Sequence, residues 1–500
     1  MSRTAVSIIF LLGTLCLDPA CADGVPLADR DWQEISSGNF RIKSVLEEDE
    51  TIELLRHLEV MRASLGDSSE VSTYESRVPT IILAVDNHDD YVSIGAPDFS
   101  AGYFVSDLRE NAILIEHTAG SRGIQIILHE YAHYLNKQSG QIRFPRWFEE
   151  GNAEYLSNSR VRDQAFEYAM APEGHLATLN FMSWMPLAVV LAADDTSAMN
   201  AEEAALFYGQ SWLMVHYLRS LPDADQTLPA KLERYARLAS TGTPPGSAFS
   251  QAFSVDLEDF EQALLQYYLE KDFSSRTVPV NTALPGFSPQ VSDMSQSEAQ
   301  LALAHMALRL ENFDAAETWF TATLSDDELR AHAEAGLGRI LGRRGDLDGA
   351  SKRFETAIYL MAWDFGIWMD YAQYWAQQLS TSYDSKSREK TASRLIESLQ
   401  NALTIAEATP ELNSLMGLAY LAKGRDIPEA IEFLEAAIEA APQDQATRML
   451  LARAYLFVFQ PDDAIAVAES VLRFEHQANV LTDAAHDVIN DAHELRRRMN

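Results

Sequence analysis

The sequence contains very little cysteine and lacks the usual motif of a serine hydrolase. Its two cysteines, Cys16 and Cys21, both lie in the first 21 of 500 residues. If the leader that contains them is removed, disulfide bonds and a cysteine nucleophile are excluded. The chain also has no Gly-x-Ser-x-Gly sequence, which excludes the nucleophile elbow of the α/β hydrolases.

Positive charge is also scarce. The 39 Lys and Arg residues stand against 74 Asp and Glu residues, and the formal net charge is −35. A surface this acidic repels phosphate backbones and anionic lipid headgroups. No run of basic residues offsets the excess, so we expect no nucleic-acid partner.

Long apolar runs are few, and the one candidate lies near the N terminus. Arg3, the apolar stretch Ala5 to Leu17 and the small-x-small sequence Ala20-Cys21-Ala22 have the layout of a signal peptide over residues 1–22. The apolar stretch is shorter than the roughly 20 residues that cross a bilayer, so no stable membrane span is expected after cleavage. We expect an exported protein, with the periplasm as first choice and full secretion as second. An uncleaved anchor and a lipid-modified Cys21 are the alternatives.

Residues 23–273 predict a domain of mixed secondary structure. The apolar spacing in Glu50 to Leu65 is typical of a helix with one buried face. Pro79 to Val85, Gly102 to Val105 and Ala112 to Ile115 are short β-rich runs separated by turn residues. This part of the chain therefore predicts both strands and helices.

The chain changes character twice after these β-rich runs. Helical patterns dominate from Gly123 to about Tyr268. Residues 274–296 then carry Pro279, Pro285 and Pro289 and show no helical period. We interpret this segment as a linker or as a strand-like closing segment.

Residues 297–478 contain an internal repeat. The repeated motif is seen in Phe313-Asp-Ala-Ala316, Leu347-Asp-Gly-Ala350, Ile427-Pro-Glu-Ala430 and Pro461-Asp-Asp-Ala464. Ala316 and Ala350 are 34 residues apart, as are Ala430 and Ala464, and this period is the signature of a repeated helix pair. A small residue twelve or thirteen positions before the alanine, such as Gly338 or Gly417, allows paired helices to cross closely.

A further helix pair fills the gap between the second and third motifs. Its helices are predicted at Gly366 to Leu379 and Thr391 to Glu407, and the polar stretch Ser380 to Lys390 is interpreted as an insertion. Residues 479–500 predict a terminal capping helix, because an end repeat has to cover the apolar face of its neighbour.

This half of the chain resembles the tetratricopeptide-repeat (TPR) family. The resemblance implies an all-α superhelix with a concave surface that binds a protein or peptide partner. An unrelated helical bundle is the alternative.

The strongest chemical signal is the sequence His129-Glu130-Tyr131-Ala132-His133. Its flanks have helical apolar periodicity, and histidines at positions i and i+4 lie one turn apart on the same face of a helix. Both imidazoles can then reach a single cation. The competing interpretation is a surface helix with two solvated histidines.

A third ligand is available in the segment Pro145 to Tyr155. Pro145 suits the first turn of a second helix, and Glu150 and Glu154 share one face of it. Glu149 is rotated by about 100° from Glu150 and points elsewhere. The simplest geometry has Glu150 completing the metal shell, while Glu154 accepts the free N–H of a ligating histidine.

Together the two segments resemble the gluzincin metallopeptidases, in particular the peptidase-MA-like group. In that group a zinc-binding helix is followed by a Trp-x-x-Glu-Gly-x-Ala motif, which Trp147, Glu150, Gly151 and Ala153 match. The specific motifs occupy only about 30 residues of this chain.

The resemblance implies an α+β zincin-like metallopeptidase domain followed by the TPR superhelix. It implies one Zn²⁺ ion held by His129, His133 and Glu150, with Glu130 as the general base that acts on a zinc-activated water. The expected substrate is a protein or peptide, and the TPR array is expected to bind that substrate or another protein.

Two further assignments rest on the same resemblance. Related enzymes place a Tyr or His from a later helix near the reacting carbonyl, so Tyr208 is proposed as a catalytic hydrogen-bond donor, with His216 as the second candidate. Ala101 to Val105 is expected either as a sheet edge that binds an extended substrate or as an ordinary hairpin.

Three functions therefore compete. The first is an exported zinc metallopeptidase whose repeats bind a protein. The second is a TPR adaptor or scaffold with a catalytically inactive zincin-like domain. The third is a zinc hydrolase that acts on a bond other than the peptide bond.

Overall fold

A computed structural model gives the structure of most of the chain. The residues it describes are 25–65, 80–98, 100–106, 111–117, 121–138, 144–162, 165–193, 196, 199–240, 243–280, 284, 287–381, 384–442, 444–474 and 480–499. The predicted signal peptide lies outside the described residues. No helix in the described part is both long and apolar enough to span a lipid bilayer.

Backbone contacts divide the chain into two compact units. Among the described residues, the first unit contains 25–105 and 111–294, and the second contains 295–499 together with the single residue Ser106. The first unit combines sheets and helices, whereas every regular element of the second unit among these residues is a helix.

The first unit begins with a short 3-10 helix, Leu27–Asp29, and then alternates strands and helices. Its strands are β1 (Gln33–Ser36), β2 (Phe40–Ser44), β3 (Thr80–Val85), β4 (Gly102–Ser106), β5 (Asn111–Glu116), β6 (Arg160–Arg162), β7 (Ala165–Tyr168), β8 (Arg276–Pro279) and β9 (Gln290–Asp293). Its α-helices are α1 (Glu48–Leu65), α2 (His88–Ile94), α3 (Ser121–Gln138), α4 (Arg146–Ser157), α5 (Glu173–Phe181), α6 (Leu187–Ala192), α7 (Ala201–Ser220), α8 (Ala224–Ser240), α9 (Pro245–Phe253) and α10 (Leu257–Glu270).

The larger sheet has parallel strands at its centre. Its order is β4-β5-β3-β2-β1-β9. β2, β3 and β5 run parallel, and β1 is antiparallel to both β2 and β9. β3 and β5 are almost wholly apolar and buried, as expected of parallel strands that are covered on both faces. The three β-rich runs of the sequence correspond to β3, β4 and β5.

The segment expected as a linker, residues 274–296, contributes strands to both sheets of the first unit. β8 pairs with β7 in a small sheet of order β6-β7-β8, and β9 pairs with β1 at the end of the larger sheet. The linker assignment is therefore wrong for this segment, and the strand-like interpretation describes it better. These strands form because their backbone N–H and C=O groups pair with residues that are distant in the sequence. A local sequence pattern does not reveal such pairing.

Helix α4 lies between α3 and α7, and a glycine makes this close packing possible. A Cβ atom on Gly151 would lie 2.3 Å from the carbonyl oxygen of Ser211 and 2.8 Å from a methyl group of Val215, both on α7. Trp147 and Trp212 are fully buried on these two helices. The site described below depends on this contact, because the helix face that carries Glu150 is fixed by it.

The second unit is built of consecutive helices. They are α11 (Gln296–Arg309), α12 (Phe313–Thr323), α13 (Arg330–Arg344), α14 (Leu347–Leu360), α15 (Phe365–Ser380), α16 (Ser385–Leu403), α17 (Pro410–Lys423), α18 (Ile427–Ala440), α19 (Gln445–Phe457), α20 (Pro461–Phe474) and α21 (Val480–Met499). The helices from α11 to α20 pack in successive pairs, and α21 packs on α19 and α20. The predicted capping helix corresponds to α21.

Small residues sit where paired helices cross. A Cβ atom on Gly417 would lie 2.3 Å from the side chain of Leu434, and one on Gly338 would lie 3.0 Å from the ring of Phe354. The spacing argument from the sequence is therefore correct at these positions. The helices can approach closely only because the glycines carry no side chain.

The polar stretch Ser380 to Lys390, expected as an insertion, is mostly the first turns of α16. The side chain of Asp384 accepts a hydrogen bond from the backbone N–H of Ser387 and caps this helix. Residues 385–390 are mostly exposed because they form the first turns of this helix, and the aspartate at its N-cap is the sequence signal of a helix start.

Candidate metal centre

Helix α3 presents two histidines on one buried face. His129 and His133 are 1% and 8% exposed, and their Nε2 atoms are 3.0 Å apart. The neighbouring Leu128, Tyr131 and Ala132 are buried as well. This helix therefore does not carry two solvated histidines, so the alternative of a surface helix is wrong.

Helix α4 brings a carboxylate to the same point. The Oε2 atom of Glu150 lies 3.3 Å from Nε2 of His129 and 3.4 Å from Nε2 of His133. One ligand atom from each of these three residues lies within 4.8 Å of the other two. The structure thus brings together the three residues that the sequence proposed as metal ligands.

This donor set fits zinc. Two imidazole nitrogens and one carboxylate oxygen are the usual protein ligands of a catalytic zinc site, which keeps a further position for water or substrate. All three side chains are buried. The buried carboxylate has lost the water that would stabilise its charge, and a divalent ion there would compensate for that loss. No other group of three potential ligands of this kind occurs among the residues that the structure describes.

Arg146 binds the second oxygen of Glu150. Its Nη2 atom is 2.7 Å from Oε1 of Glu150, one helical turn away, and the arginine is buried. The pair leaves Oε2 as the oxygen that faces the histidines. Burial alone raises the pKa of the Glu150 carboxyl, but the charge of Arg146 and the two imidazoles hold it well below its usual range. Arg146 was not predicted as part of the site, although its spacing of four residues from Glu150 is visible in the sequence.

Glu149 lies elsewhere, as its rotation on the helix predicts. Its carboxylate is 3.8 Å from Nη1 of Arg146 and its side chain is partly exposed.

Glu154 holds the far side of the His129 ring. Its Oε1 atom is 3.2 Å from Nδ1 of His129, and its Oε2 atom is 3.0 Å from Nε2 of His175 on α5. Asn158 also donates to Oε2, at 3.2 Å. The structure therefore places Glu154 where the sequence proposed it. It adds His175, which no motif in the sequence indicates.

The electrostatics of the two histidines differ. Burial lowers the pKa of His129, but the nearby carboxylates of Glu150 and Glu154 outweigh this and raise the pKa to about 10. His133 has no such second carboxylate, and burial lowers its pKa. A ligating imidazole has to be neutral at the nitrogen that binds the ion, so metal binding at His129 releases a proton.

Glu130 lies beside this group of residues and is fully buried. A Cβ atom on Gly102 of β4 would lie 3.0 Å from its Oε1 atom. Burial raises the pKa of the Glu130 carboxyl to about 8, although the nearby charge of His129 opposes the shift. A raised pKa makes the ionised carboxylate a stronger base, which suits it to accept a proton and release it again.

Tyr208 approaches the site from α7. Its ring centre is 6.5 Å from that of His129, and the residue is 1% exposed. Burial raises the pKa of its phenol well above the usual value, so the group keeps its proton and can donate a hydrogen bond.

His216, the second candidate for that role, belongs to the core. Its Nδ1 atom is 2.7 Å from the hydroxyl of Tyr267, and its Nε2 atom is 3.2 Å from the carbonyl oxygen of Ala169. The rings of Trp212 and Phe273 pack around it. This second candidate is therefore corrected: both ring nitrogens of His216 serve internal hydrogen bonds.

The buried His216 predicts an acid-sensitive first unit. Burial lowers its pKa to about 4, whereas in an unfolded chain it titrates near 6.5. Between these two values the unfolded chain binds a proton that the folded chain does not, so the free energy of unfolding falls as the pH falls. Between these pH values, His216 lowers the free energy of unfolding by at most about 1.4 kcal/mol for each pH unit.

The test compares the wild type with His216→Gln, which retains a hydrogen-bonding amide and does not titrate. Urea unfolding of both proteins at pH 7, 6 and 5 should give a smaller loss of stability for the variant. Equal pH slopes would show that His216 is not protonated on unfolding.

One comparison with known protein families concerns the second unit. A family model described as "Tetratricopeptide repeat" matches residues 421–482. The second unit contains tetratricopeptide repeats. The prediction of TPR repeats from the 34-residue period is thereby confirmed. The family model does not extend to the metal centre.

Several solved structures are similar to part of the chain. A TPR protein of Thermus thermophilus is 21% identical, covers 39% of this chain and 98% of its own, and has a TM-score of 0.31. YrrB, described as a TPR protein with an unusual peptide-binding site, is 15% identical and covers 38% of this chain and 91% of its own, with a TM-score of 0.31. PilF of Pseudomonas aeruginosa is 15% identical and covers 41% and 91%, with a TM-score of 0.32. No curated protein sequence matches the chain.

Proposed function

We propose that the protein is a zinc-dependent metallopeptidase whose TPR repeats bind a protein substrate or partner. The observation that carries the proposal is the convergence of His129, His133 and Glu150, each with one ligand atom within 4.8 Å of the others. These residues would hold the ion. The site resembles that of the gluzincin peptidases in residue types and order along the chain.

A zinc ion in this position would polarise a substrate carbonyl and make water a stronger acid. Side chains of the protein would then transfer the proton of the attacking water. Glu130 lies next to His129 in the helix, and burial raises the pKa of its carboxyl to about 8. It is suited to take a proton from the attacking water and to give it to the leaving amine. Tyr208, whose ring centre is 6.5 Å from that of His129, would donate a hydrogen bond from its phenol to developing negative charge on the carbonyl oxygen.

The edge of the larger sheet supports a peptide as substrate. β4 is the terminal strand in the sheet order, and its Gly102 lies against Glu130. A peptide that adds to this edge by backbone hydrogen bonds would bring its carbonyl groups past the buried carboxylate. The repeats of the second unit support a protein ligand, because TPR arrays bind proteins and peptides. Export to the periplasm, or secretion, remains part of the proposal.

The second candidate function is a TPR adaptor with a silent zincin-like domain. The comparisons favour this alternative, since both the family model and the similar structures concern TPR repeats. The two candidates differ in one respect only, which is hydrolysis at the metal centre. Both retain binding of a protein by the repeats.

A hydrolysis assay with controlled metal content separates the two. The purified full chain is stripped with a chelator and then given zinc or magnesium, and cleavage of an unfolded protein such as casein is followed by mass spectrometry. A peptidase should cleave only after zinc is restored. An adaptor gives no cleavage with either metal. Zinc-dependent cleavage of an ester but not of casein would indicate a zinc hydrolase of another class.

A further inference from the structure

His175 lies outside the motifs that predict the metal centre, yet the fold brings it to one of their residues. It belongs to α5, which packs against α7. Its Nε2 atom is 3.0 Å from Oε2 of Glu154, while Oε1 of the same carboxylate is 3.2 Å from Nδ1 of His129. One carboxylate is therefore held between two imidazoles.

The surroundings of His175 fix the position of its ring. The ring of Trp212 lies 6.4 Å away at 37°, and a Cβ atom on Gly209 would lie 3.7 Å from the Cβ of His175. The histidine side chain is 17% exposed and that of Glu154 is 6% exposed. The contact is thus shielded from most solvent, where the attraction between an imidazole N–H and a carboxylate is stronger than at the surface.

We propose that His175 is a positioning residue of the metal centre, acting on the ligand His129 through Glu154; the proposal rests on the zinc site proposed above. A carboxylate can rotate about its terminal bond, so a donor on one oxygen fixes where the other oxygen points. His175 and Asn158 hold Oε2, and Oε1 then faces Nδ1 of His129. A proton on Nδ1 leaves Nε2 free for the ion.

The proposal predicts the zinc affinity of four full-length proteins: the wild type, His175→Ala, Glu154→Gln and the double variant. Loss of a partner that orients a metal ligand weakens metal binding by about 10- to 100-fold. We expect Glu154→Gln within this range and His175→Ala about tenfold weaker than the wild type. The double variant should bind zinc no more than about twofold more weakly than Glu154→Gln, because His175 acts only through Glu154.

Dissociation constants are measured by competition with a chromophoric chelator at constant pH, with zinc alone as ligand. Thermal unfolding of the zinc-free proteins shows whether each variant is folded. His175→Gln serves as the conservative variant, because its amide can still donate to Glu154; it should stay within about threefold of the wild type. His332→Ala is the matched control: this histidine lies in the second unit, 3.9 Å from the carboxylate of Asp364, and its replacement should leave the zinc affinity unchanged.

Three results would overturn the proposal. In the first, His175→Ala binds zinc within twofold of the wild type. In the second, the effects of the two single substitutions add in the double variant, which would mean that His175 acts independently of Glu154. In the third, His175→Ala does not fold and His175→Gln folds but binds zinc as poorly as Glu154→Gln. If the wild type itself binds no zinc, the proposed function fails, and the role of His175 fails with it. If the wild type binds zinc but one of the three results above is found, only the role of His175 fails.

Discussion

Glu130→Gln should reduce peptide hydrolysis by about 10²- to 10⁴-fold while zinc remains bound. A general base typically contributes a factor of this size. The glutamine has nearly the same shape but cannot accept the proton. Glu130 is not one of the three residues whose ligand atoms converge, so its replacement leaves the proposed ligands in place. Steady-state cleavage of a peptide substrate and the zinc content of the same sample measure both parts of the prediction.

Glu149→Gln is the matched control for this experiment. Glu149 precedes the proposed ligand Glu150 in α4, is partly exposed and contacts Arg146 from outside the group of converging ligand atoms. Its substitution removes one nearby carboxylate charge and should change the cleavage rate by less than about threefold. Undiminished cleavage by Glu130→Gln would refute its role as base. Loss of zinc from that variant would mean that Glu130 serves the metal site instead.

Gly151→Ala should destabilise the first unit and weaken its metal site. The new methyl group would lie 2.3 Å from the carbonyl oxygen of Ser211. This contact is with backbone, so it cannot be relieved by rotation of a side chain. Overpacking of this kind costs about 1–3 kcal/mol, and α4 must move away from α7. Since the preceding residue is Glu150, we expect the zinc affinity to fall as well. Urea unfolding of the zinc-free protein measures the first effect.

Gly209→Ala provides the control on the facing helix. A Cβ atom there would lie 3.5 Å from the side chain of Leu179, which is an ordinary contact. Alanine also favours a helix interior over glycine by about 0.5–1 kcal/mol. This variant should therefore be as stable as the wild type or slightly more stable. If Gly151→Ala behaved in the same way as Gly209→Ala, the close packing of α4 and α7 would not determine the position of Glu150.

The residues of the metal centre that could be predicted are those whose relation is local. His129 and His133 are four residues apart on one helix, and so are Glu150 and Glu154. Helical geometry alone therefore fixes which side chains share a face. The convergence of the two helices required a resemblance to a known motif. His175 had no local signal, because it follows Glu154 by about 20 residues and reaches it only through the packing of α5 on α7.

The same distinction explains the fold. Close helix crossings in the repeats could be predicted from the spacing of residues such as Gly338 and Gly417, since each repeat contacts mainly its neighbours. The strands at the ends of the sheets could not be predicted in this way. β9 pairs with β1, more than 250 residues earlier in the chain, and its short run Gln290–Asp293 is exposed throughout. A strand that depends on distant partners and buries little apolar surface leaves no clear pattern in the sequence.

The number of zinc ions bound per chain tests the central claim most directly. The full chain is freed of loosely held metal at neutral pH, and its zinc content is measured by inductively coupled plasma mass spectrometry. The His129→Ala variant is measured in the same way. The convergence of His129, His133 and Glu150 predicts one zinc ion per wild-type chain and close to none in the variant. A folded wild type without zinc, or equal zinc in both proteins, would contradict the account.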